Sequence, residues 1–306
     1  MADTKRIVFE SVPVDNYNYN FHTHTLFCDG KNTASEMAES AFQSGIKTLG
    51  FSAHAIFPAT SCWHLPVEKS ADYCAEIKKL KKAYRGKMDI LLGFEADYFP
   101  GLSEPDRKTY RAFNPDFIIG SVHYIPGKSE GKAEEPYVTE KQNLYKIPSD
   151  TFAVDGSVDE LEKGLMKVFN GDGRALVERY FELEREMALN YDFDIIGHPD
   201  LIRKRNGKLH FFDEKASWYK KELKVTAQAF AASGKIVEIN TGGMARKALD
   251  DTYPSDDFLE LLKKEGVKMI LNSDSHSSDT ITYGFDYAIK KAQRLGLSEF
   301  SVLLKH

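Results

Sequence analysis

Short apolar runs alternate with amphipathic stretches along most of the chain. The apolar runs predict strands near residues 18–24, 47–53, 88–94, 116–122, 193–197, 235–240 and 268–273. The amphipathic stretches predict helices over about 33–44, 68–85, 174–190, 213–233, 255–265 and 284–295. This alternation is typical of repeated βα units, so we expect an α/β fold built on a parallel sheet, with seven strands where the common barrel has eight.

The segment from about 126 to 170 interrupts this pattern. It is polar and rich in glycine, with one short amphipathic helix near 157–169. It directly follows the strand that ends near His123, so in a barrel it would lie over the carboxyl ends of the strands. We interpret it as a lid-like insertion rather than a disordered surface loop. No linker divides the chain, so residues 1–306 are predicted to form a single domain.

Polar residues that can bind metals stand where the apolar runs end. Because parallel strands end on the same face of a barrel, these side chains should converge there. Imidazoles and carboxylates together are the ligand set of zinc, iron and manganese. The positions are His22 and His24, His54, Glu95, His123, His198, and Asp274 with His276.

Three of these residues carry most of the argument. His22 and His24 are two residues apart, so on an extended strand they point to the same side and can bind one ion together. Glu95 ends a wholly apolar run, where an unpaired carboxylate would be costly to bury, and a carboxylate can bridge two ions. Asp29 in the following loop would hold a second ion. His64, His210 and His306 lack this strand-end context and are expected to lie outside the site.

Composition excludes several classes of protein. The 306 residues are 42% hydrophobic and carry a net charge of −5, which argues against a protein that mainly binds nucleic acid. The one basic run, at 78–87, is predicted to be a solvent-exposed helix face. No run approaches the roughly 20 apolar residues of a membrane helix, and no signal peptide is evident, so a soluble cytoplasmic protein with no membrane partner is expected. Three cysteines without CxxC spacing fit reduced thiols, and Cys28 is read as a small filler rather than a ligand.

The ordered set of motifs resembles the polymerase and histidinol phosphatase superfamily, and within it the histidinol-phosphate phosphatases. The resemblance runs from about residue 18 to 290. It rests on NFHTHTLFCDG, GFSAH, LLGFEADYFPG, FIIGSVHYI, DIIGHPDLIRK, VEINTGGMARK with YPS, and NSDSH. Members of the superfamily form a distorted (β/α)7 barrel related to the TIM barrel, with the metal site at the carboxyl ends of the strands.

The resemblance implies three divalent ions, with the metal left open among zinc, iron and manganese. Asp29 stands where some relatives have a histidine, which bears on metal preference. The resemblance assigns His22, His24, Glu95 and Asp274 to the first ion, Asp29, His54 and His276 to the second, and His123, His198 and the bridging Glu95 to the third.

The implied reaction is hydrolysis of a small phosphate monoester, L-histidinol phosphate, in histidine biosynthesis. Closely spaced ions can activate a hydroxide for attack on phosphorus and neutralise the phosphoryl oxygens, with Glu95, Asp274 and His276 as catalytic residues. Arg203 and Arg246 follow strand ends, and their fork geometry suits phosphate oxygens. Asp155 and Phe152 in the insertion are candidates for binding the ammonium and imidazole of the alcohol.

Three alternatives remain at this stage. A related phosphoesterase could act on nucleotides, nucleic acid ends or other monoesters. A metal-dependent amidohydrolase also has an HxH motif, although those enzymes commonly use a carboxylated lysine and no lysine ends a predicted strand here. A barrel that serves only as an interaction module would have lost ligands, whereas every ligand position is filled. The sequence specifies no oligomeric state.

Overall fold

The computed structural model describes residues 7–59, 61–127, 134–139 and 142–305. Seven strands form one parallel sheet in the order β12-β11-β10-β5-β4-β3-β2. All seven predicted strands are confirmed. The thirteen strands are β1 Ile7–Pro13, β2 Tyr19–Asn20, β3 Thr48–His54, β4 Asp89–Asp97, β5 Phe117–Ser121, β6 Tyr124–Ile125, β7 Glu134–Thr139, β8 Gln142–Lys146, β9 Phe152–Ala153, β10 Ile195–Ile196, β11 Ile236–Asn240, β12 Met269–Asn272 and β13 Glu299–Lys305.

Helices connect the strands of this sheet and cover its outside. Each predicted helix is present, although the one expected from 213 begins at Ser217. The α-helices of the described residues are α1 Ala34–Gln43, α2 Ser70–Ala83, α3 Arg107–Tyr110, α4 Val158–Phe169, α5 Gly173–Asn190, α6 Asn206–Leu209, α7 Ser217–Ser233, α8 Gly242–Ala245, α9 Asp256–Lys264 and α10 Phe285–Arg294. Short 3-10 turns lie at Val14–Asn16, Val67–Lys69, Leu201–Arg205 and Ser278–Thr280.

The two edges of the sheet meet and nearly close a barrel. Thr23 forms a parallel bridge with Ser275, beyond the ends of β2 and β12. Below it the backbone N–H of Phe21 donates to the Asn272 side chain at 2.7 Å, and the Asn20 amide donates to Ser273 Oγ at 2.7 Å. Because side chains take over part of the closure, β2 is shorter than the predicted strand 18–24.

A bulky aromatic side chain fills the interior near the amino-terminal ends of the strands. Phe117 is fully buried at the start of β5 and meets Phe21 with ring centroids 6.2 Å apart. A side chain at Gly50 or Gly93 would place its Cβ within 2.7 Å of the Phe117 ring, so these two strand glycines leave the space it occupies. The opposite end of the barrel is lined by polar side chains.

Three antiparallel pairs were not predicted. β1 pairs along its whole length with β13, which joins the two ends of the described chain. β6 pairs with β9, and β7 with β8, within the segment that was predicted to be an insertion. Residues 128–133 and 140–141 of that segment, and His306, lie outside the described residues.

The surface agrees with the prediction made for the basic run. Lys78, Lys79, Lys82 and Lys87 of the basic run are exposed, as expected for a solvated face. No helix within the described ranges is long and apolar enough to cross a bilayer.

Candidate metal centre

All nine predicted metal ligands converge at the carboxyl end of the barrel. Their nitrogen and oxygen atoms form four overlapping groups, each with all its atoms within 4.8 Å of one another. The groups are His24, Asp29, His54 and His276; His22, His198 and Asp274; His22, His24 and Glu95; and His54, Glu95 and His123. His22, His24, His54 and Glu95 each fall in two groups, whereas the assignment implied by the resemblance shares Glu95 alone between ions.

Glu95 is at the centre of these groups. Its Oε2 atom lies 2.9 Å from His54 Nδ1, 3.1 Å from His22 Nε2 and 3.4 Å from His24 Nε2. Its Oε1 atom lies 2.9 Å from His198 Nε2 and 3.5 Å from His123 Nε2. Five imidazoles therefore surround one carboxylate that is only 1% exposed.

Several of these atoms are buried without a hydrogen bond. Glu95 Oε2, His22 Nε2, His24 Nε2 and His54 Nδ1 all lack a hydrogen-bond partner. A buried polar atom without a partner costs roughly 1–3 kcal/mol. Four such atoms pointing at one another are the arrangement expected of a coordination site, because each lone pair can bind a cation.

A second part of the centre lies toward the surface. His276 Nε2 is 3.1 Å from Asp29 Oδ2, and His54 Nε2 is 3.6 Å from Asp29 Oδ1. Asp274 Oδ1 links the two parts, at 3.3 Å from His24 Nε2 and 3.5 Å from His276 Nδ1. Asp29 is 30% exposed at its side chain, so this part opens to solvent.

Two of the ligand candidates have strained backbones. His198 and Asp274 have φ values of 22° and 48°, in a region that residues other than glycine rarely adopt. The His198 N–H donates to Glu238 Oε2 at 2.9 Å, which holds this conformation. Such strain costs of order 1–3 kcal/mol and is concentrated at functional sites.

Two buried carboxylates that the sequence analysis did not select orient the imidazoles. Glu238 in β11 accepts a hydrogen bond from His22 Nδ1 at 2.7 Å. Asp97 at the end of β4 accepts from His123 Nδ1 at 2.5 Å and also from His64 Nε2. Carboxylate–histidine pairs of this kind fix the tautomer and ring orientation of metal ligands. The available signal was a charged residue in a buried strand, the same signal that identified Glu95.

The histidines outside the nine ligands also have defined places. His64 bonds to Asp97 through Nε2 and stands edge-on to the ring of His54 at 5.9 Å, and it belongs to none of the four ligand groups. His210 ends α6 in a left-handed conformation. Cys28 Sγ lies 3.5 Å from His24 Nδ1, and burial raises the pKa of its thiol to about 12.

The carboxylates raise the basicity of the nearby imidazoles. Burial lowers the pKa of His123, but Asp97 and Glu95 outweigh it and raise that pKa to about 10. In the same way Glu238 and Glu95 overcome burial and raise the pKa of His22 well above its ordinary value. The surroundings of both rings therefore favour positive charge.

A cavity of about 510 Å³ opens above the centre. This volume is within the range of small-molecule sites. It is lined by Asp29, His54, Cys62, Trp63, Glu95, His123, Tyr124, Ala153, Asp155, Gly156, Glu160, His198, Leu201, Lys204, Arg246, Asp274 and His276. Of the two arginines predicted to contact phosphate, only Arg246 lies on this wall. Its guanidinium donates to Asp274 Oδ2 at 2.5 Å and contacts His276 Nδ1 at 2.9 Å.

Arg203 does not line the cavity, contrary to the sequence-based expectation. Its guanidinium is 2.8 Å from Glu214, 3.3 Å from Asp200 and 3.5 Å from Asp251. These carboxylates, together with the Thr252 carbonyl, engage all of its donor nitrogens. The neighbouring Lys204 reaches the cavity instead.

The two residues proposed for the alcohol part also differ from expectation. Asp155 lines the cavity but is paired with Lys204, whose Nζ is 2.9 Å from Asp155 Oδ2. Phe152 is buried and does not line the cavity; its ring fills the space above Gly164. It cannot stack on a ligand without leaving the core.

Comparison with known proteins agrees with this architecture. The family model of the PHP domain matches residues 20–242, well over half of the chain. The chain belongs to the PHP domain family. This match covers the strand ends from His22 to Glu238.

Two relatives match nearly the whole chain. A probable histidinol-phosphatase of Deinococcus radiodurans is 27% identical over 278 residues, which cover 90% of this chain and 92% of the relative. The histidinol-phosphatase of Bacillus subtilis is 24% identical and covers 88% of this chain and 97% of its own.

Solved structures share the fold of this PHP protein. A histidinol phosphatase candidate from Listeria monocytogenes superposes with a TM-score of 0.72 at 19% identity, covering 88% of this chain and 99% of that chain. The histidinol phosphate phosphatase of Lactococcus lactis, solved with zinc, L-histidinol and phosphate, superposes with a TM-score of 0.60 at 18% identity, covering 91% and 94%. The predicted distorted (β/α)7 barrel is confirmed.

Proposed function

We propose that this protein is a metal-dependent phosphatase that hydrolyses L-histidinol phosphate to L-histidinol and inorganic phosphate. The observation that carries the proposal is Glu95, a buried carboxylate surrounded by five imidazoles at the base of a cavity. The relatives named as histidinol-phosphatases match over almost their full lengths, which supports the choice of substrate.

The residues present fit divalent cations. The unpartnered atoms of Glu95, His22, His24 and His54 have the geometry and chemistry of ligands for zinc, iron or manganese. The charge of the cavity gives a second reason. Five carboxylates line it, against the two permanent cations Lys204 and Arg246. A phosphate dianion would be repelled unless bound cations reversed this balance.

The proposed complement is three ions held by the nine converging residues. Glu95 is placed to serve more than one ion, because its two oxygens face different imidazoles. When bound, such ions supply an activated water nucleophile and positive charge that stabilises the phosphoryl oxygens. Glu95, Asp274 and His276 are the proposed catalytic residues, since their side chains hold the ions and line the cavity where the phosphorus would sit.

Cationic side chains complete the proposed phosphate site. Arg246 presents its guanidinium beside Asp274 and His276, where donors can meet phosphoryl oxygens. Lys204 also lines the cavity, where it pairs with Asp155. Together they would orient the ester for in-line attack on phosphorus and stabilise negative charge on the phosphoryl oxygens while the alcohol leaves.

The insertion at about 126–170 is proposed to act as a lid within a single domain. In the described part of this segment, Ala153, Asp155, Gly156 and Glu160 form one side of the cavity wall. β9 anchors them by pairing with β6, which directly follows His123. These contacts of the described residues support the proposed role of the segment as a lid. A cytoplasmic location stays a prediction.

Steady-state kinetics test the proposal directly. The protein would be loaded separately with zinc, manganese or ferrous iron and assayed on L-histidinol phosphate, p-nitrophenyl phosphate, nucleoside monophosphates and O-phosphoserine. We expect the highest kcat/KM on L-histidinol phosphate. A preference for nucleotides would instead favour a different phosphoesterase of the same family. Turnover of none of them by the metal-loaded protein would favour a non-catalytic module.

A further inference from the structure

Glu160 has an unusual role for a residue in the first turn of a helix. Helix α4 begins after Ser157, whose hydroxyl accepts a hydrogen bond from the Glu160 N–H at 3.1 Å. In helix α1, the corresponding Glu36 returns its carboxylate to the backbone N–H of Thr33 and completes a capping box. Glu160 does not return to Ser157. Its carboxylate turns toward the cavity above the metal centre.

Two neighbours hold the Glu160 carboxylate in that direction. Its Oε1 atom accepts a hydrogen bond from the Ala153 N–H at 3.1 Å. Its Oε2 atom lies against Gly156, where a side chain would place a Cβ only 2.2 Å away. Glycine at 156 therefore provides the space for this carboxylate. Oε2 keeps its capacity to accept hydrogen bonds from a ligand.

The charges on the cavity wall distinguish Glu160 from the other carboxylates. Asp155 is paired with Lys204, and Asp274 with Arg246. Asp29 and Glu95 face imidazoles of the metal centre. Among the described residues, no lysine, arginine or histidine forms an ion pair with Glu160.

Aromatic side chains line the same cavity. Trp63 and Tyr124 have nearly parallel rings, tilted by 28° with centroids 5.6 Å apart. Trp63 also stands edge-on to the ligand candidates His54 and His123, at 4.5 and 5.3 Å. An aromatic ring attached to a bound phosphate ester would meet an apolar surface here. Trp63 and Tyr124, rather than the predicted Phe152, therefore offer the aromatic surface for the alcohol part of the substrate.

We propose that Glu160 is a specificity-determining residue that binds the primary ammonium of the alcohol part of the substrate, beside an aromatic wall formed by Trp63 and Tyr124. The favoured class of substrate is a phosphate monoester with a primary ammonium and an aromatic ring. L-Histidinol phosphate belongs to this class, so the inference rests on the proposed function. Metals, Arg246 and Lys204 would recognise the phosphate that all monoesters share, and Glu160 would distinguish the alcohol.

The test compares Glu160→Gln with Glu162→Gln in the metal-loaded protein. Gln at 160 still accepts from the Ala153 N–H, so the loop should keep its conformation, whereas the negative charge is lost. Glu162 is an exposed residue of the same helix and does not line the cavity. We expect the ratio of kcat/KM on L-histidinol phosphate to that on p-nitrophenyl phosphate to fall by roughly 10- to 100-fold in Glu160→Gln, mainly through KM. Glu162→Gln should keep the wild-type ratio.

Binding of the separate products provides a second measurement. By titration calorimetry, Glu160→Gln should weaken the binding of L-histidinol by about tenfold or more and leave that of inorganic phosphate within about twofold. An unchanged substrate ratio together with unchanged L-histidinol affinity would overturn the inference. Equal losses for L-histidinol and phosphate would also overturn it, because they would indicate general damage to the cavity.

Failure of the proposed function would look different. A wild-type protein that does not hydrolyse L-histidinol phosphate contradicts the function whatever Glu160 does. In that case O-phosphoethanolamine and ethyl phosphate, which differ by an ammonium, still test the inference. Loss of the preference for O-phosphoethanolamine in Glu160→Gln supports the inference. If the ratio of kcat/KM on O-phosphoethanolamine to that on ethyl phosphate is the same in the wild type and in Glu160→Gln, the inference is overturned.

Discussion

The Nδ1 atom of His22 lies 2.7 Å from Oε1 of Glu238, and both side chains are fully buried. The same carboxylate accepts hydrogen bonds from Asn272 Nδ2 at 2.9 Å, Asn240 Nδ2 at 2.8 Å and the backbone N–H of His198 at 2.9 Å. Glu238 thus fixes the ring of one ligand candidate and the strained backbone of another. It is an outer layer of the metal centre rather than a ligand.

Replacing Glu238 should therefore weaken the metal centre without removing a ligand. Glu238→Gln loses the charge that supports the basicity of His22 and places an amide against several donors. We expect metal affinity to fall by about 10- to 100-fold, as for other outer carboxylates of histidine ligands. Competition with a chelator of known affinity measures this. An exposed control, Glu260→Gln on helix α9, should bind metal like the wild type. Wild-type metal affinity in Glu238→Gln would show that Glu238 does not support the metal centre.

Replacing Glu95 should have a larger effect because its two oxygens face two sets of imidazoles. Glu95→Gln is expected to lower metal content by at least one ion per chain and to reduce kcat by more than about 100-fold. Elemental analysis after gel filtration, alongside activity, gives both values. If the wild type itself retains or regains fewer than two ions, the three-ion proposal is wrong. If Glu95→Gln keeps full metal content, the bridging role of Glu95 is wrong.

Much of this centre could be predicted from the sequence because its ligands follow apolar strands. A buried strand end at His54, His198 or Asp274 is visible as a change from apolar to polar residues, and parallel strands bring such positions together. The outer layer was harder to predict. Glu238 lies inside the buried strand β11 and Asp97 is the last residue of β4, and their partners are known only when the strands are paired.

Other features depend on contacts between distant residues. β1 and β13 pair from opposite ends of the chain, and neither sequence predicts which strand it pairs with. Arg203 follows a strand as Arg246 does, yet its guanidinium is held by Asp200 and Glu214 and also reaches Asp251, 48 residues away. Local sequence therefore placed both arginines near the carboxyl end of the barrel, whereas the carboxylates packed around Arg203 separated their roles.

The two arginines should consequently respond differently to alanine substitution. Arg246→Ala removes a donor from the cavity wall, so kcat/KM should fall by about 100-fold or more while the melting temperature changes little. Arg203→Ala leaves the fully buried Asp200 without its cationic partner, which should cost about 3–5 kcal/mol of unfolding free energy. Kinetics and chemical denaturation of both variants measure these effects. A stable Arg203→Ala with strongly reduced kcat/KM would restore its predicted role in phosphate binding.

The last prediction concerns Glu184, a fully buried residue of helix α5. Burial raises the pKa of its carboxyl well above the ordinary value, although the Tyr180 hydroxyl donates to Oε1 at 2.7 Å and acts in the opposite direction. The folded protein therefore keeps this proton at a pH where the unfolded chain has lost it. The stability that Glu184 provides is fully present below the unfolded pKa, near 4.5, and is lost as pH rises toward the folded pKa.

Glu184→Gln removes this titration and preserves the shape of the side chain. Between those two pKa values, the stability of the wild type relative to the variant should fall by up to about 1.4 kcal/mol for each pH unit. Denaturant unfolding of both proteins at pH 5, 6, 7 and 8 gives the difference, in which the pH dependence of the metal centre cancels because the two share it. Glu182→Gln, an exposed residue of the same helix, should show no such trend. If the difference in unfolding free energy between the wild type and Glu184→Gln stayed constant across this range, Glu184 would already be ionised in the folded protein.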